Sequence, residues 1–490
     1  MTTMKAITYL FLITLLASGC ISKKPEPSVA KLPQADIAVF TSTDKALEDA
    51  YEWARKTALG YSHDGTDSVG YWYEAALPQR EAFCMRDVSH QSVGAQVLGL
   101  TDHNRNMLMR FAENISESKD WCTYWEINRY NCPAPADYTN DKEFWYNLNA
   151  NFDVIQACWK MYQWTADSTY LHDPCFTNFY DKSLNEYIVR WKLQPDSIMS
   201  RPRLMNISDN FDPHNNFHTC RGLASYVENF AGLATSADLV ATLYAGYQAS
   251  AQMASAQNNS AKAQQYMAIA SQYRKLLEER WWSNDLNSYH TFWTEEKKFY
   301  KGEGESFVIW FKATDDAERI RATVHNLLNH EWNVETLSYF PTLLYRYGYD
   351  YEAYNKLTSL PRMNRAEYPE VSFGIVEGVA GGVMGIEPSA VEKRITTFSR
   401  LPKQTDHAML SNVPVFGGYI TVEHDGRKKS QFTNHTGKTV VWRAAFDGNY
   451  PSIKSKGKEQ KANLSVDVLG NETSYVDIEV LANETRSAEL

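Results

Sequence analysis

The stretch SADLVATLYAGYQASAQMAS, residues 236–255, together with the more polar residues 261–282, decides the predicted fold. In the first stretch apolar side chains recur every four positions, at Leu239, Leu243, Tyr247 and Ala251. A helix that is apolar on nearly all sides is buried all round, whereas one with charged residues along one side keeps that face in water. The pair therefore predicts a buried helix followed by a half-exposed one.

The same contrast recurs over residues 38–401, where helical periodicity predicts segments that begin near residues 45, 87, 104, 145, 176, 235, 261, 305, 315, 335, 350, 370 and 388. The segments near 87, 145, 235, 305, 335 and 370 are apolar, and the others after residue 45 are more amphipathic. Six buried helices that alternate with six half-exposed ones predict a mainly α fold, an (α/α)6 toroid, with the leading helix in excess. No repeat of fixed length indicates an α-solenoid.

The sequence changes character after Pro402, where apolar and polar residues alternate in short stretches such as YITVE, residues 419–423. Asp-Gly and Gly-Asn pairs separate these stretches, as in a chain of β-hairpins. We expect a toroidal catalytic domain over residues 37–402 and a small β-sandwich domain over residues 403–490.

The N-terminus has the features of an export signal. An apolar run over residues 6–17 follows Lys5 and is too short to span a bilayer comfortably. It ends in LASGC, residues 16–20, which resembles a bacterial lipobox with Cys20 as the lipidated residue. We therefore expect a signal peptide over residues 1–19, a tether over residues 20–36, and a protein lipid-anchored in a bacterial cell envelope.

Composition excludes some classes of function. The 490 residues carry 49 basic and 59 acidic side chains, a net charge of −10, which argues against nucleic-acid binding because no basic tract is present to neutralise phosphates. Aromatic residues make up 13% of the chain, and Trp and Tyr suit stacking on sugar rings as well as core packing. The cysteines match no zinc-ligand spacing, so no metal site is predicted.

Hydrolysis of a glycosidic bond needs two carboxyl groups in one pocket, one protonated and one ionised, and no cofactor. Carboxylates stand where long connectors meet the predicted buried helices, and the strongest candidates are Asp87, Asp153, Glu370 and Glu305. Helix capping is the alternative for each, since Asp and Glu favour the first turn of any helix.

Side chains near these carboxylates are of the types that bind sugars. Arginine binds a sugar carboxylate through two parallel hydrogen bonds, and aromatic rings stack on sugar faces. The candidate substrate-binding residues are Arg86, His90, Trp72, Trp145, Tyr146, His214 and Arg221.

The string YWYEAALPQREAFCMRDVSHQ, residues 71–91, resembles the loop and first buried helix of bacterial six-hairpin glycosidases. Residues 144–164, residues 368–385 and the β-rich tail extend the match, which is most similar to glycoside hydrolase family 154. The resemblance implies an (α/α)6 fold and β-glucuronidase activity on polysaccharide-derived oligosaccharides.

The sequence therefore predicts an exo-acting glycoside hydrolase that removes a terminal sugar, with glucuronic acid as the expected sugar. Asp87 is the first catalytic carboxyl, and Asp153 or Glu370 the second, with Glu305 in reserve. Two alternatives remain open: a polysaccharide lyase acting on uronic-acid polymers, and a non-catalytic glycan-binding lipoprotein.

Overall fold

The computed structural model describes residues 33–77, 79–228, 230 and 232–490. The expected signal peptide, Cys20 and most of the tether lie outside these residues. Helices account for 42% of the structure and strands for 24%. Among the described residues, none of the helices combines the length and the apolar character needed to cross a bilayer.

The helices lie mainly in the first 380 residues. They are α1 Lys45–Gly60, α2 Met85–Val97, α3 Thr101–Glu113, α4 Ala150–Thr165, α5 Thr169–His172, α6 Pro174–Lys182, α7 Ile188–Arg190, α8 Asn216–Cys220, α9 Ala237–Ala256, α10 Ser260–Leu276, α11 Ser306–Trp310, α12 Ala317–Leu328, α13 Val334–Ser338, α14 Phe340–Arg346, α15 Asp350–Ser359 and α16 Pro369–Glu377. π-Helical turns extend α6, α10 and α16 through Ser183–Tyr187, Leu277–Trp281 and Gly378–Val383.

The helices at the six places where buried helices were predicted form a ring. Helix α2 contacts α4 and α16, α4 contacts α9, α9 contacts α11, and α13 contacts α16. The rings of Phe307 on α11 and Tyr339 after α13 lie 5.4 Å apart and join the remaining neighbours. Glycine permits the close approach of α2 and α16, because a Cβ on Gly94 would lie 2.2 Å from the carbonyl oxygen of Phe373.

The amphipathic helices pack outside this arrangement, α3 on α2, α10 on α9, α12 on α11 and α15 on α14. The helix expected near residue 388 is wrong, because Glu387–Ser389 and Arg394–Phe398 are paired strands. Helix α1 was expected to be an extra helix outside the toroid. It packs on α16 instead, and so takes the outer position expected for the helix near residue 388. The predicted fold class is thus confirmed in part: the helical ring order is present, and the strand content exceeds that of a mainly α protein.

The C-terminal region consists of two sheets. The seven-stranded sheet has the order Val39–Ser42, His407–Val415, Gly418–Asp425, Lys429–His435, Thr485–Glu489, Ser452–Ser455, Lys458–Lys461. The five-stranded sheet has the order Glu387–Ser389, Arg394–Phe398, Val440–Asp447, Glu472–Val480, Asn463–Val466. Phe432 of the first sheet stacks on Trp442 of the second, with ring centroids 5.6 Å apart. The sheets include strands from both ends of the region assigned to the toroid, so they begin before the expected boundary at residue 402.

Shorter strands lie in the connectors between helices. The paired sets are Ser62–Asp64 with Tyr71–Tyr73, Ala82–Cys84 with Glu126–Asn128, Tyr138–Asn140 with Glu143–Phe144, Tyr146–Asn147 with Arg221–Leu223, Trp282–Ser283 with Ser288–Tyr289, and Leu233–Ser236 with Phe292–Thr294 and Phe299–Tyr300. These pairings give the long connectors a fixed shape, which a site built on loops requires.

The sheets cover one end of the helical ring. Gln96 near the end of α2 donates to the carbonyl oxygen of Pro414 at 3.3 Å. The amide of Phe416 donates to the carbonyl oxygen of Trp164, in the last turn of α4, at 2.9 Å. Both contacts are at the C-terminal ends of buried helices. The N-terminal ends therefore face the opposite side, where the connectors gather.

Candidate active site

A cavity of about 520 Å³ lies at the N-terminal ends of α2, α13 and α16. This volume is within the range of small-molecule binding sites. Its aromatic lining consists of Trp125, Trp145, Tyr226, Phe307, Trp332, Tyr339 and Tyr368. Polar side chains from three helices and several connectors converge between these rings, which is the composition of a site for a polar ring-shaped ligand.

Two of the predicted catalytic carboxyls, Asp87 and Glu370, line this cavity. Each lies in the first turn of its helix, Asp87 on α2 and Glu370 on α16, and these two helices are in contact. The Asp87 residue is 8% exposed, so its carboxyl is largely shielded from bulk water. Residues 283 positions apart in the sequence thus meet at one end of the ring.

Asp87 and Glu370 occupy different electrostatic environments. Burial raises the pKa of Glu370 well above its usual value, and the negative charge of Asp87 raises it further. Glu370 Oε2 is buried without a hydrogen-bond partner among the described residues. In contrast, Arg86 Nε lies 3.3 Å from Asp87 Oδ1, so this carboxyl has a cationic partner. The two carboxyls therefore differ in surroundings: the protonated form of Glu370 is favoured by burial, and Asp87 pairs with an arginine.

A second pair of acids, Glu126 and Asp137, lines the wall of the cavity around Arg80. Arg80 Nη1 donates to Glu126 Oε2 at 2.6 Å and to Asp137 Oδ2 at 3.2 Å. Burial raises the pKa of Glu126 to about 8, and the neighbouring Asp137 carboxyl adds to the effect. This pair was not predicted from the sequence, although Glu126 directly follows Trp125 in a connector rich in aromatic residues.

Acidic residues outnumber basic ones among the described residues that line the cavity. The carboxyl-bearing residues are Asp87, Glu126, Asp137, Glu228, Glu303, Glu335, Glu370 and Glu377, and the basic residues are Arg80, Arg86 and His90. Both arginines already lie beside carboxylates, since Arg86 Nη1 is also 3.8 Å from Glu228 Oε1. Burial raises the pKa values of Glu228 and Glu377.

The other two predicted catalytic carboxyls do not line the cavity. Asp153, on α4, is fully buried beneath His90 and Tyr226, with its Oδ1 accepting a hydrogen bond from the Tyr226 hydroxyl at 2.6 Å. Glu305, directly before α11, is buried and forms an ion pair with Lys301 at 2.5 Å. Of the four carboxyls, the structure brings together only Asp87 and Glu370 at the cavity surface.

Among the expected substrate-binding residues, Arg86, His90 and Trp145 line the cavity. The others lie elsewhere for identifiable reasons. Trp72 is buried, donates from Nε1 to Asp67 at 2.8 Å and stacks on His63. Tyr146 is buried and donates to Asn151, Arg221 is buried in an ion pair with Asp120, and His214 is exposed on a connector.

Comparison with known proteins identifies the fold. Neither a protein-family model nor a curated protein sequence matches the chain. Similar solved structures include the α-L-rhamnosidase from Dictyoglumus thermophilum, with a TM-score of 0.59, 10% identity, and 93% of this chain and 51% of that chain covered. The α-L-rhamnosidase from Streptomyces avermitilis has a TM-score of 0.57, 10% identity, and coverage of 92% and 42%.

A putative kojibiose phosphorylase from human microbiome is also similar, with a TM-score of 0.51, 9% identity, and coverage of 91% and 63%. The chain thus spans about half the length of the rhamnosidases that it matches. At these identities the likeness concerns the fold alone. The fold of this chain is similar to that of these rhamnosidases, and the resemblance to glycoside hydrolase family 154 stays a prediction.

Proposed function

We propose that the protein is an exo-acting glycoside hydrolase that removes a terminal sugar from polysaccharide-derived oligosaccharides. The observation that carries the proposal is the pairing of Asp87 and Glu370 in one aromatic-lined cavity, with opposite electrostatic environments. A glycosidase needs this combination, because one carboxyl must donate a proton while the other acts as base or nucleophile.

The roles of the two residues follow from their surroundings. Glu370, whose raised pKa favours the protonated carboxyl, donates its proton to the glycosidic oxygen as the bond breaks. Asp87, the partner of Arg86, activates water or attacks the anomeric carbon. The proton donor, Glu370, and the base or nucleophile, Asp87, thus lie on two helices that are in contact, α16 and α2.

Exo action is supported by the position of the cavity. The two sheets pack against the C-terminal ends of α2 and α4, so the ring is covered on the side opposite the cavity. A pocket with one opening accepts the end of an oligosaccharide better than its interior. The aromatic residues Trp125, Trp145 and Trp332 around it offer surfaces on which sugar rings stack.

The charge of the cavity favours an uncharged terminal sugar over the expected glucuronic acid. A uronate carboxylate needs a free cationic partner, but both arginines of the described lining already lie beside carboxylates. Acidic residues also outnumber basic ones around the cavity, so the described lining offers a uronate no further arginine or lysine. Rhamnose, the sugar named for two structures of the same fold, is uncharged and is the first neutral candidate.

A panel of aryl glycosides tests the proposal, with neutral sugars and a glucuronide in parallel. We expect chromophore release by the wild-type protein, loss of release in Asp87→Asn and Glu370→Gln, and wild-type rates in Glu367→Gln, an exposed acid just before α16 that does not line the cavity. Formation of an unsaturated, ultraviolet-absorbing product from a uronic-acid polymer would favour a lyase instead. Binding of sugars without turnover would favour a glycan-binding protein.

We also propose that the protein is attached to a bacterial envelope membrane through a lipid on Cys20. The support is the LASGC string of residues 16–20 that follows an apolar run. Expression in a bacterium with a labelled fatty acid tests this proposal. We expect label in the wild-type chain and none in Cys20→Ser, and label in both chains would contradict it.

A further inference from the structure

A buried polar cluster lies directly beneath the cavity. It joins Asp153 on α4, His90 on α2, and Tyr226 in the connector before α9. The rings of His90 and Tyr226 lie 5.8 Å apart, and both residues line the cavity above Asp153. Phe307, Trp310 and Phe311 surround His90 with ring centroids 6.0 to 6.4 Å away, so the cluster lies in apolar surroundings.

Asp153 has no access to a bound substrate. Its side chain is 0% exposed, and its Oδ2 is buried without a hydrogen-bond partner among the described residues. A catalytic carboxyl must reach the glycosidic oxygen, the anomeric carbon or the attacking water. Asp153 reaches the cavity only through Tyr226 and His90.

The contact with Asp153 fixes the direction of the Tyr226 hydroxyl. Tyr226 donates to Asp153 Oδ1 at 2.6 Å, and Thr242 Oγ1 lies 3.2 Å from the same hydroxyl. Burial and the charge of Asp153 raise the pKa of Tyr226, so the hydroxyl keeps its proton. Because the proton points at Asp153, the hydroxyl can make any further hydrogen bond, beyond its contact with Thr242, only as an acceptor.

Asp153 also lies close to His90, although the two do not form a hydrogen bond. His90 Nε2 is buried, has no hydrogen-bond partner among the described residues, and lies 3.5 Å from Asp153 Oδ1. A carboxylate beside one ring nitrogen favours the proton on that nitrogen. The other nitrogen, Nδ1, then becomes the acceptor that the ring offers to the cavity.

We propose that Asp153 is a positioning residue that holds Tyr226 and His90 as paired hydrogen-bond acceptors for hydroxyl groups of the terminal sugar. The inference rests on the proposed function, and it replaces the expected role of Asp153 as a second catalytic carboxyl. The ligand class is a sugar that presents two hydroxyl donors to the floor of the cavity.

Steady-state kinetics of Asp153→Asn and Tyr226→Phe tests the proposal, because binding and chemistry change different parameters. Both substitutions are nearly isosteric. We expect Tyr226→Phe to raise KM about ten-fold, the order of one sugar hydrogen bond. Asp153→Asn should raise KM at least as much, because it releases both acceptors, and each substitution should change kcat by less than about three-fold. The double variant should be no worse than Asp153→Asn alone, because Asp153 acts through Tyr226.

Tyr247→Phe is the matched control, since it also removes one buried tyrosine hydroxyl, which donates to the carbonyl oxygen of Leu184 at 2.9 Å away from the cavity. It should leave KM and kcat unchanged. If Asp153→Asn does not fold, as judged by circular dichroism, Tyr226→Phe decides the test alone.

A fall in kcat for Asp153→Asn as large as that for Asp87→Asn, with KM unchanged, would overturn the inference and make Asp153 catalytic. Unchanged KM in both Asp153→Asn and Tyr226→Phe would overturn it as well. Absence of turnover by the wild-type protein would overturn the proposed function itself. Calorimetry with free rhamnose, glucose and glucuronic acid then decides the inference: weaker binding by Asp153→Asn supports it, and equal or absent binding overturns it.

Discussion

Replacing Glu370 with Gln removes the proton donor while keeping the shape of the side chain. Since burial and the charge of Asp87 raise the pKa of Glu370 and favour the protonated carboxyl, the neutral amide of Gln matches that form in charge as well as in shape. We therefore expect the melting temperature to stay close to that of the wild-type protein. Any loss of activity in Glu370→Gln then reports on chemistry.

The size of the loss follows from the role of a general acid. Positioned proton donors contribute about 10²- to 10⁴-fold to the rate, or roughly 2.7 to 5.4 kcal/mol of transition-state stabilisation. The loss should depend on the leaving group, because a dinitrophenolate departs without protonation and a sugar alkoxide does not. We expect kcat to fall about 10³-fold on an oligosaccharide and less than about ten-fold on a dinitrophenyl glycoside.

The assay compares these two substrates across pH. Wild-type activity should decline as the pH rises through the raised pKa of Glu370, and the variant should lack that decline on the dinitrophenyl glycoside. Glu367→Gln serves as the control and should retain the wild-type profile. Equal losses on both substrates, or a retained alkaline decline in Glu370→Gln, would refute the assignment of Glu370 as the acid.

Three further predictions concern neighbouring residues. Asp87→Asn should lower kcat about 10³-fold on both substrates at unchanged melting temperature, and a loss below ten-fold would exclude Asp87 as base or nucleophile. Between pH 4.5 and 8 the unfolded chain has released the Glu126 proton and the native protein retains it, so each pH unit lowers the free energy of unfolding by up to about 1.4 kcal/mol. Urea unfolding should therefore show Glu126→Gln gaining stability relative to wild type from pH 5 to 8, and a constant difference would contradict the pKa of Glu126. If a uronide is hydrolysed, Arg86→Ala should remove the preference for uronides over neutral glycosides, whereas equal loss on both would exclude Arg86 as its partner.

Much of the helical ring could be predicted from residue patterns, because a buried helix and a half-exposed helix differ in periodicity. The prediction failed near residue 388, where the Val-Glu-Lys-Arg-Ile-Thr-Thr-Phe sequence of residues 391–398 is compatible with either a helix or a strand. The strand forms because Arg394–Phe398 pairs with Val440–Asp447, a partner far along the chain. Local patterns carry no information about such a distant partner.

From the sequence, only those site residues could be predicted that lie in the first turn of a buried helix. Asp87 and Glu370 lie in first turns, so their position along the chain already directed them to one end of the ring. Whether a connector residue faces the cavity depends on contacts that the sequence does not show. Arg221 is buried in an ion pair with Asp120, whereas Glu126 lies on a short paired strand that borders the cavity. Asp153 was expected in the cavity, but His90 and Tyr226 cover it. Spacing along the sequence does not reveal such a cover.

Hydrolysis of an oligosaccharide in oxygen-18 water tests the central claim most directly. We expect wild-type protein to release one monosaccharide from the chain end, with the heavy oxygen on its anomeric carbon, and Asp87→Asn and Glu370→Gln to release none. A product without the label, cleavage within the oligosaccharide, or release by either variant at the wild-type rate would contradict this expectation.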